Sequence, residues 1–271
     1  IKDYDDETEI AKSFNLNALY VKGEATPFFY ETCAKNGLYV INELPFSFEH
    51  KEKTERARKE ETESEEVFFA EKAASLVKKT KNYPCVIGYS FGALCETENG
   101  KEICKKLSAE SGKAVAGVNL TILSGVSCDG GAVIAFAPGD KIQPKELEAI
   151  VSDPEIAGVI IDGFGGEGTD GNGLFDEHNV AKESAQITKY AFRPFTASLA
   201  DNRTLLLTNR NSFASADGVA VVLYKVKGVN EEKIQTIYPV IMPKQTREYG
   251  IYVGEYDEHT KLRIFYEKDG A

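Results

Sequence analysis

The stretch Lys81-Asn-Tyr-Pro-Cys-Val-Ile-Gly-Tyr-Ser-Phe-Gly92 lies where one periodicity gives way to another. Upstream, residues 67–79 set Phe68, Phe69, Ala73, Leu76 and Val77 on one stripe at helical spacing. The segment Cys85-Val-Ile-Gly-Tyr89 then reads as a short, almost wholly apolar strand. A helix leading into such a strand is the repeating step of a parallel α/β sheet, whose strands are buried on both faces. Working outward, the step recurs. Helices are expected over 5–14, 27–35, 101–111 and 144–151, and strands over 17–21, 37–41, 114–118 and 158–161. Two further apolar segments lie at 121–126 and 132–136. Residues 49–66 interleave Lys and Arg with Glu at helical spacing, which describes a solvated face. Strand–helix alternation sustained this long suits a (β/α) barrel or an open doubly wound sheet.

Residues 165–173 turn to Gly, Asp and Thr, marking a surface loop, and beyond about residue 187 the period changes. Short strands are expected at 195–199, 204–208, 219–225, 235–242, 249–253 and 261–266, separated by polar turns. That spacing predicts a β-sandwich. The division expected is therefore residues 1–183 for the α/β part and 184–271 for the all-β part.

Of 271 residues, 42% are hydrophobic, enough for a real core. A net charge of −11 argues against a nucleic-acid binder, because phosphate affinity comes from Lys and Arg. No apolar run approaches the length that spans a bilayer. The five cysteines (33, 85, 95, 104 and 128) lack metal-ligand spacing. Either they are buried free thiols, or Cys95 and Cys104 close a small loop in an oxidising compartment. Asn119-Leu-Thr121 and Asn202-Arg-Thr204 fit the glycosylation pattern. No cofactor or metal motif is present, since Asp170-Gly-Asn172 lacks the later glutamate of a calcium loop.

Gly88-Tyr-Ser-Phe-Gly92 matches the G-x-S-x-G nucleophile elbow of serine hydrolases. On that reading Ser90 is the nucleophile of an esterase, Asp162 the acid, and His178 or His259 the base. Against it, the residues after the elbow (96–100) are polar and turn-like where a helix should begin.

In a wider frame, the same stretch resembles the "RNHPSVIxWSLGNE" signature of glycoside hydrolase family 2, the β-galactosidases and β-glucuronidases. Phe14-Asn-Leu-Asn-Ala-Leu-Tyr20 resembles the family's "FNFNAVR" strand. Phe28-Phe-Tyr-Glu-Thr-Cys-Ala-Lys-Asn-Gly-Leu-Tyr-Val-Ile-Asn-Glu43 resembles "FYELCDELGLYVIDE". Ala135-Phe-Ala-Pro-Gly-Asp140 followed by Ala157-Gly-Val-Ile-Ile-Asp162 is similar to "EYAHAMGN…GGFIWDW". Gly173-Leu-Phe175 and Tyr190-Ala-Phe-Arg-Pro-Phe195 are similar to "GLV…KYVYQPV". Leu207-Thr-Asn-Arg-Asn-Ser-Phe213 resembles the "VTNRxxF" strand of the sandwich that follows the barrel. The segments occur in the family's order. The resemblance implies an incomplete or reduced (β/α) TIM-type barrel followed by a β-sandwich.

The resemblance also implies a site, and the chain departs from it. Retaining glycosidases use two carboxyl groups ~5–5.5 Å apart as acid/base and nucleophile. The family's acid/base position falls on Leu94, and its nucleophile, counted back from Gly139 and Asp140, on Val133. Neither side chain can donate a proton or attack a sugar carbon. Glu96 lies two positions beyond Leu94, where a shifted loop would recruit it. Tyr20 stands for the family's arginine, Gly23 for its histidine, and the chain has no tryptophan. Glu43, His50, Tyr89 and Asp162 remain as candidate sugar-binding residues. The expectation is thus a catalytically inactive β-galactosidase-like protein with a structural or carbohydrate-recognising role. An active glycosidase with relocated carboxylates is the alternative. No apolar strand precedes the first helix where the family has its first barrel strand, so a preceding polypeptide or another subunit is expected to dock against residues 17–21.

Overall fold

The computed structural model describes residues 4–44, 55–91, 98–116, 133–138, 142–153, 156–165, 173–176, 178–254 and 260–268. They form two compact units, Ile1–Phe192 and Arg193–Ala271.

The first unit alternates helix and strand. Its elements run α1 (Tyr4–Ser13), β1 (Ala18–Lys22), α2 (Pro27–Lys35), β2 (Tyr39–Glu43), α3 (Glu55–Thr80), β3 (Val86–Ser90), α4 (Glu98–Ser111) and β4 (Ala114–Ala116). These are followed by β5 (Val133–Pro138), α5 (Pro144–Ser152), β6 (Ile156–Asp162) and α6 (Glu183–Ala191). Strands β1 to β4 pair in chain order, all parallel, and β5 pairs in parallel with β6. From Glu55 onward the charge run joins the amphipathic stretch in the single helix α3.

Local chemistry sets the boundaries. Thr26 caps α2 by accepting from the Phe29 N–H at 3.3 Å, and Pro27 fits the first turn, where no donor is needed. Gly37 (φ +67°) ends the helix in the left-handed region that glycine adopts without strain. On its inner side α2 buries Phe29, Tyr30 and Cys33. They join Val40, Val77, Val86, Tyr89, Phe91 and Leu107 in one core between the helices and the sheet. A second core gathers Ile142, Leu147, Leu174 and Phe175 with the partly buried Phe14, Val159 and Ile161.

The second unit holds β7 (Phe195–Asp201), β8 (Thr204–Asn209), β9 (Val219–Lys227), β10 (Asn230–Ile237), β11 (Thr246–Gly250) and β12 (Thr260–Lys268). They make two antiparallel sheets, β11-β8-β7 and β10-β9-β12, which share one core of Phe195, Leu205, Leu207, Val221 and Leu223 among others. Asn209, in the stretch similar to "VTNRxxF", is fully buried with its hydrogen bonds made. It donates to Ala214 O (2.8 Å) and Ile241 O (3.1 Å) and accepts from the Asn211 N–H (3.0 Å). Its role is to pin a turn.

The chain differs from the sequence reading in two places. Residues 183–191 form α6, so the units divide after Phe192 and not at 183. Residues 184–191 lack a strong apolar stripe, which hid the helix. The strand expected over 235–242 is β10, which starts at Asn230 because the turn at Gly228 (φ +62°) folds it directly back on β9. The apolar segment at 121–126 lies outside the described residues, and so do Cys95 and Cys128. Cys33 and Cys85 are buried free thiols, and Cys104 is buried on α4. No helix among the described residues is long and apolar enough to cross a membrane.

Leu223 is completely buried at the centre of β9. Its truncation to alanine is expected to remove about 2–5 kcal/mol from the stability of the second unit, read by urea denaturation.

Candidate functional site

The faces of the parallel strands decide which side chains reach the site. On β1, Leu19 and Val21 pack into the core beneath the helices, so Ala18, Tyr20 and Lys22 take the opposite face. On β2, Val40 and Asn42 are fully buried on the helix side. There Asn42 Oδ1 accepts from the Tyr30 hydroxyl of α2 at 3.0 Å. Ile41 and Glu43 therefore face the same way as Tyr20.

Strand β3 holds an irregularity. Val40 pairs with Val86 but Ile41 pairs with Gly88, so Ile87 is an extra, bulged residue. The bulge reverses the alternation. Val86, Tyr89 and Phe91 all join the helix-side core, and Ser90 points away from it. Tyr89, 1% exposed, hydrogen-bonds its hydroxyl to Thr80 Oγ1 of α3 at 3.0 Å and stacks on Phe91 at 5.8 Å. Burial raises its ionisation above the ordinary tyrosine range. Tyr89, expected among the sugar-binding residues, packs instead in the helix-side core. The bulge is what strict alternation misses.

Tyr20, Glu43 and Ser90 converge at the carboxyl ends of β1, β2 and β3, with Asp162 at the carboxyl end of β6. The Tyr20 hydroxyl interacts with Ser90 and Glu43, while burial raises its ionisation well above the ordinary value. The Glu43 carboxyl is also raised, first by loss of water and further by the negative charge of Asp162, with Lys22 and Tyr20 opposing. Two carboxyl groups thus feel each other at this end of the strands. Glu43 Oε2 and Ser90 Oγ are buried without a hydrogen bond of good geometry, although both act on the Tyr20 hydroxyl. A cavity of about 330 Å³ adjoins the cluster, lined by Tyr20, Lys22, Ile41, Ile160 and Asp162 among others.

The other expected residues separate from this cluster or lie outside the described residues. Leu94, Glu96, His50 and His259 belong to the second case. Val133 starts β5 opposite Ile156, whereas the strand end level with Asp162 is Pro138, and β5 carries no acidic residue. As the nucleophile's equivalent Val133 is therefore at the wrong end of its strand. The count back from Gly139 and Asp140 runs the length of β5. His178 is exposed in a turn where its N–H donates to Asp176 Oδ1 (2.8 Å), so Ser90 has no base among the described residues. Nor do any described residues form a group able to hold a metal ion. Sequence reasoning did not place Tyr20 and Lys22 in the site, although alternation along 17–21 sets them on one face.

Because the folded state raises the Glu43 proton affinity above the ordinary value of 4.5, it binds more protons than the unfolded chain just above that pH. Stability from this group is present at low pH and falls as pH rises through the folded value. Glu43→Gln is expected to raise Tm at pH 8 and to leave it unchanged near pH 4, measured by thermal denaturation at the two pH values. Tyr89→Phe, by losing the bond to Thr80, is expected to cost about 1 kcal/mol at every pH below tyrosine ionisation, measured by denaturant titration.

No family model and no curated protein matches the chain. Solved structures do. The exo-chitosanase CsxA of Amycolatopsis orientalis superposes with a TM-score of 0.55 and 10% identity, over 99% of this chain and 46% of the enzyme. A second structure, of the exo-β-D-glucosaminidase CsxA with a castanospermine inhibitor, gives 0.57 and 11% over 99% and 47%. A β-D-mannosidase from Dictyoglomus thermophilum gives 0.55 and 13% over 100% and 46%. The chain spans less than half the length of each. These neighbours are members of glycoside hydrolase family 2, and the chain has the fold of that part of them.

Proposed function

We propose that the chain is a catalytically inactive, β-galactosidase-like protein that holds a carbohydrate at the carboxyl ends of its parallel strands. On this reading β1 to β6 are strands of a reduced (β/α) barrel, and the second unit is the β-sandwich that follows it. The observation that carries the proposal is the cluster of Tyr20, Glu43 and Ser90 with Asp162 nearby. Buried oxygens of Glu43 and Ser90 lack well-formed hydrogen bonds there. A buried polar atom left unpaired costs about 1–3 kcal/mol, and a sugar hydroxyl both donates and accepts. The names of the solved neighbours, an exo-chitosanase and a β-D-mannosidase, support a carbohydrate as the ligand class. Leucine at the family's acid/base position, and the lack of an acidic residue on β5, support the absence of turnover.

One observation favours a second reading. A carboxyl of raised proton affinity beside a second carboxylate is the arrangement by which glycosidases keep one acid protonated and the other charged. An active glycosidase would then use Glu43 and Asp162, or the relocated Glu96.

Titration calorimetry with methyl β-D-galactoside, β-D-mannoside and β-D-glucosaminide tests the first reading. Binding of at least one, with Kd of order 1 mM, is expected. Loss of about tenfold or more is expected in Glu43→Gln and Asp162→Asn. The matching p-nitrophenyl glycosides are expected to show no release above the uncatalysed rate. Release abolished by Glu43→Gln or Glu96→Gln would establish the glycosidase instead, and release from p-nitrophenyl esters abolished by Ser90→Ala would establish an esterase.

A further inference from the structure

Two cysteines of the first unit flank β2, in a place that the sugar-binding reading does not use. Cys33 lies on α2, and Cys85 is the residue before β3. Both are free thiols, Cys33 fully buried and Cys85 4% exposed. Sequence spacing does not announce them as a pair, because β2 and the long helix α3 lie between them.

The fold brings them together. The Cys85 thiol donates to Tyr30 O at 3.2 Å. Tyr30 precedes Cys33 by three residues on α2, and residues so spaced on a helix lie on one face. The thiol of Cys85 therefore reaches the helical turn that carries Cys33. Backbone bonds fix the rest. Leu38 N–H donates to Cys33 O at 2.8 Å, and Val40 N–H donates to Cys85 O at 2.7 Å. Leu38 and Val40 are two residues apart on one extended stretch, a separation of about 6.6 Å. A disulfide joins Cα atoms about 4.4–6.8 Å apart, so both cysteines are anchored on the scale that a bond between them needs. Both side chains belong to one core, with Tyr30, Val40 and Val86.

We propose that Cys33 and Cys85 are a redox site, at which hydrogen peroxide links them in a reversible disulfide that ties α2 to the start of β3. Cys85 reacts first. Burial pushes the Cys33 thiol up to about 12, and the neighbouring Cys85 adds to the rise. Cys85 is also raised by burial, but backbone N–H groups and the Lys113 ammonium oppose it. Lys113 is held there by its own bond to Val86 O. The thiolate, which is the reactive form, is therefore reached more readily at Cys85. Its sulfur attacks one peroxide oxygen and breaks the O–O bond, giving a sulfenic acid and water. The Cys33 sulfur then attacks the sulfenic sulfur and expels its hydroxyl, which leaves as water with the Cys33 proton. In sum two thiols lose two electrons and two protons, and one peroxide becomes two waters. A dithiol reductant reverses the oxidation. The bond closes a loop containing β2, and Tyr30 of the same helix already holds Asn42 beside Glu43. Oxidation thus stiffens the layer that sets the direction of Glu43.

The test treats the folded chain with hydrogen peroxide and maps its non-reduced peptides by mass spectrometry. Trypsin with chymotrypsin, which cleaves after Tyr89 and Phe91, separates Cys85 from Cys95. The expected product joins the Cys33 and Cys85 peptides with the loss of two hydrogens, disappears in dithiothreitol, and does not form when urea unfolds the chain first. The oxidised chain is expected to have a higher urea midpoint than the reduced one. Cys33→Ala is expected to leave a sulfenic acid at Cys85 that dimedone traps, and Cys85→Ala to leave Cys33 a thiol. The map of the unsubstituted chain decides alone where either variant fails to fold. Four results would overturn the proposal: both cysteines still thiols after peroxide has oxidised others, a bond from either to a different cysteine, an equal yield in urea, or a lower midpoint on oxidation.

Discussion

Everything at the carboxyl ends of the strands depends on how the helices claim the other face of the sheet. Tyr30 of α2 reaches through to Asn42, and Thr80 of α3 holds the Tyr89 hydroxyl, each a buried hydrogen bond of 3.0 Å inside an apolar layer. Tyr30 also stacks on Tyr83 at 4.7 Å, close to parallel. Bonds of this kind are worth little net, but breaking one strands a polar group away from water. They therefore fix the rotational setting of β2 and β3. Glu43 and Ser90, next in sequence to Asn42 and Tyr89, have no choice but to face the opposite way.

This constraint explains how far the fold was legible. Helices α2 and α5 and the strand pattern of the second unit follow directly from apolar spacing, capping residues and turns. Thr26-Pro27 at one end of α2 and Gly37 at the other leave little ambiguity. What failed was local signal overruled by tertiary contact. Residues 183–191 become helical because Ala185 and Ala191 pack into the second core, which no pattern within those residues announces. The six strands of the second unit were expected, but the start of β10 was fixed by its hairpin partner β9 and not by its own composition.

The site was legible in part, for the same reason. Glu43 and Asp162 lie at strand ends, where a parallel sheet exposes the residues that make sites, and both were nameable from position alone. Tyr89 faces the core because one extra residue, Ile87, inverts the alternation of β3, and a bulge leaves no mark in composition. Tyr20 stood only as the replacement of the family's arginine, which hid its own part in the site. What replaces the arginine is a hydroxyl that burial keeps neutral, so it acts on Glu43 and Ser90 without adding positive charge.

The cavity and the site share a boundary. Tyr20, Lys22 and Asp162 line the cavity, and each of the three acts on Glu43. Loss of water is the largest cause of the raised proton affinity of Glu43, and the negative charge of Asp162 adds to it. Lys22 opposes both, yet its side chain is exposed and screened by solvent. The state of the Glu43 carboxyl is therefore set by how much water the cavity admits beside it.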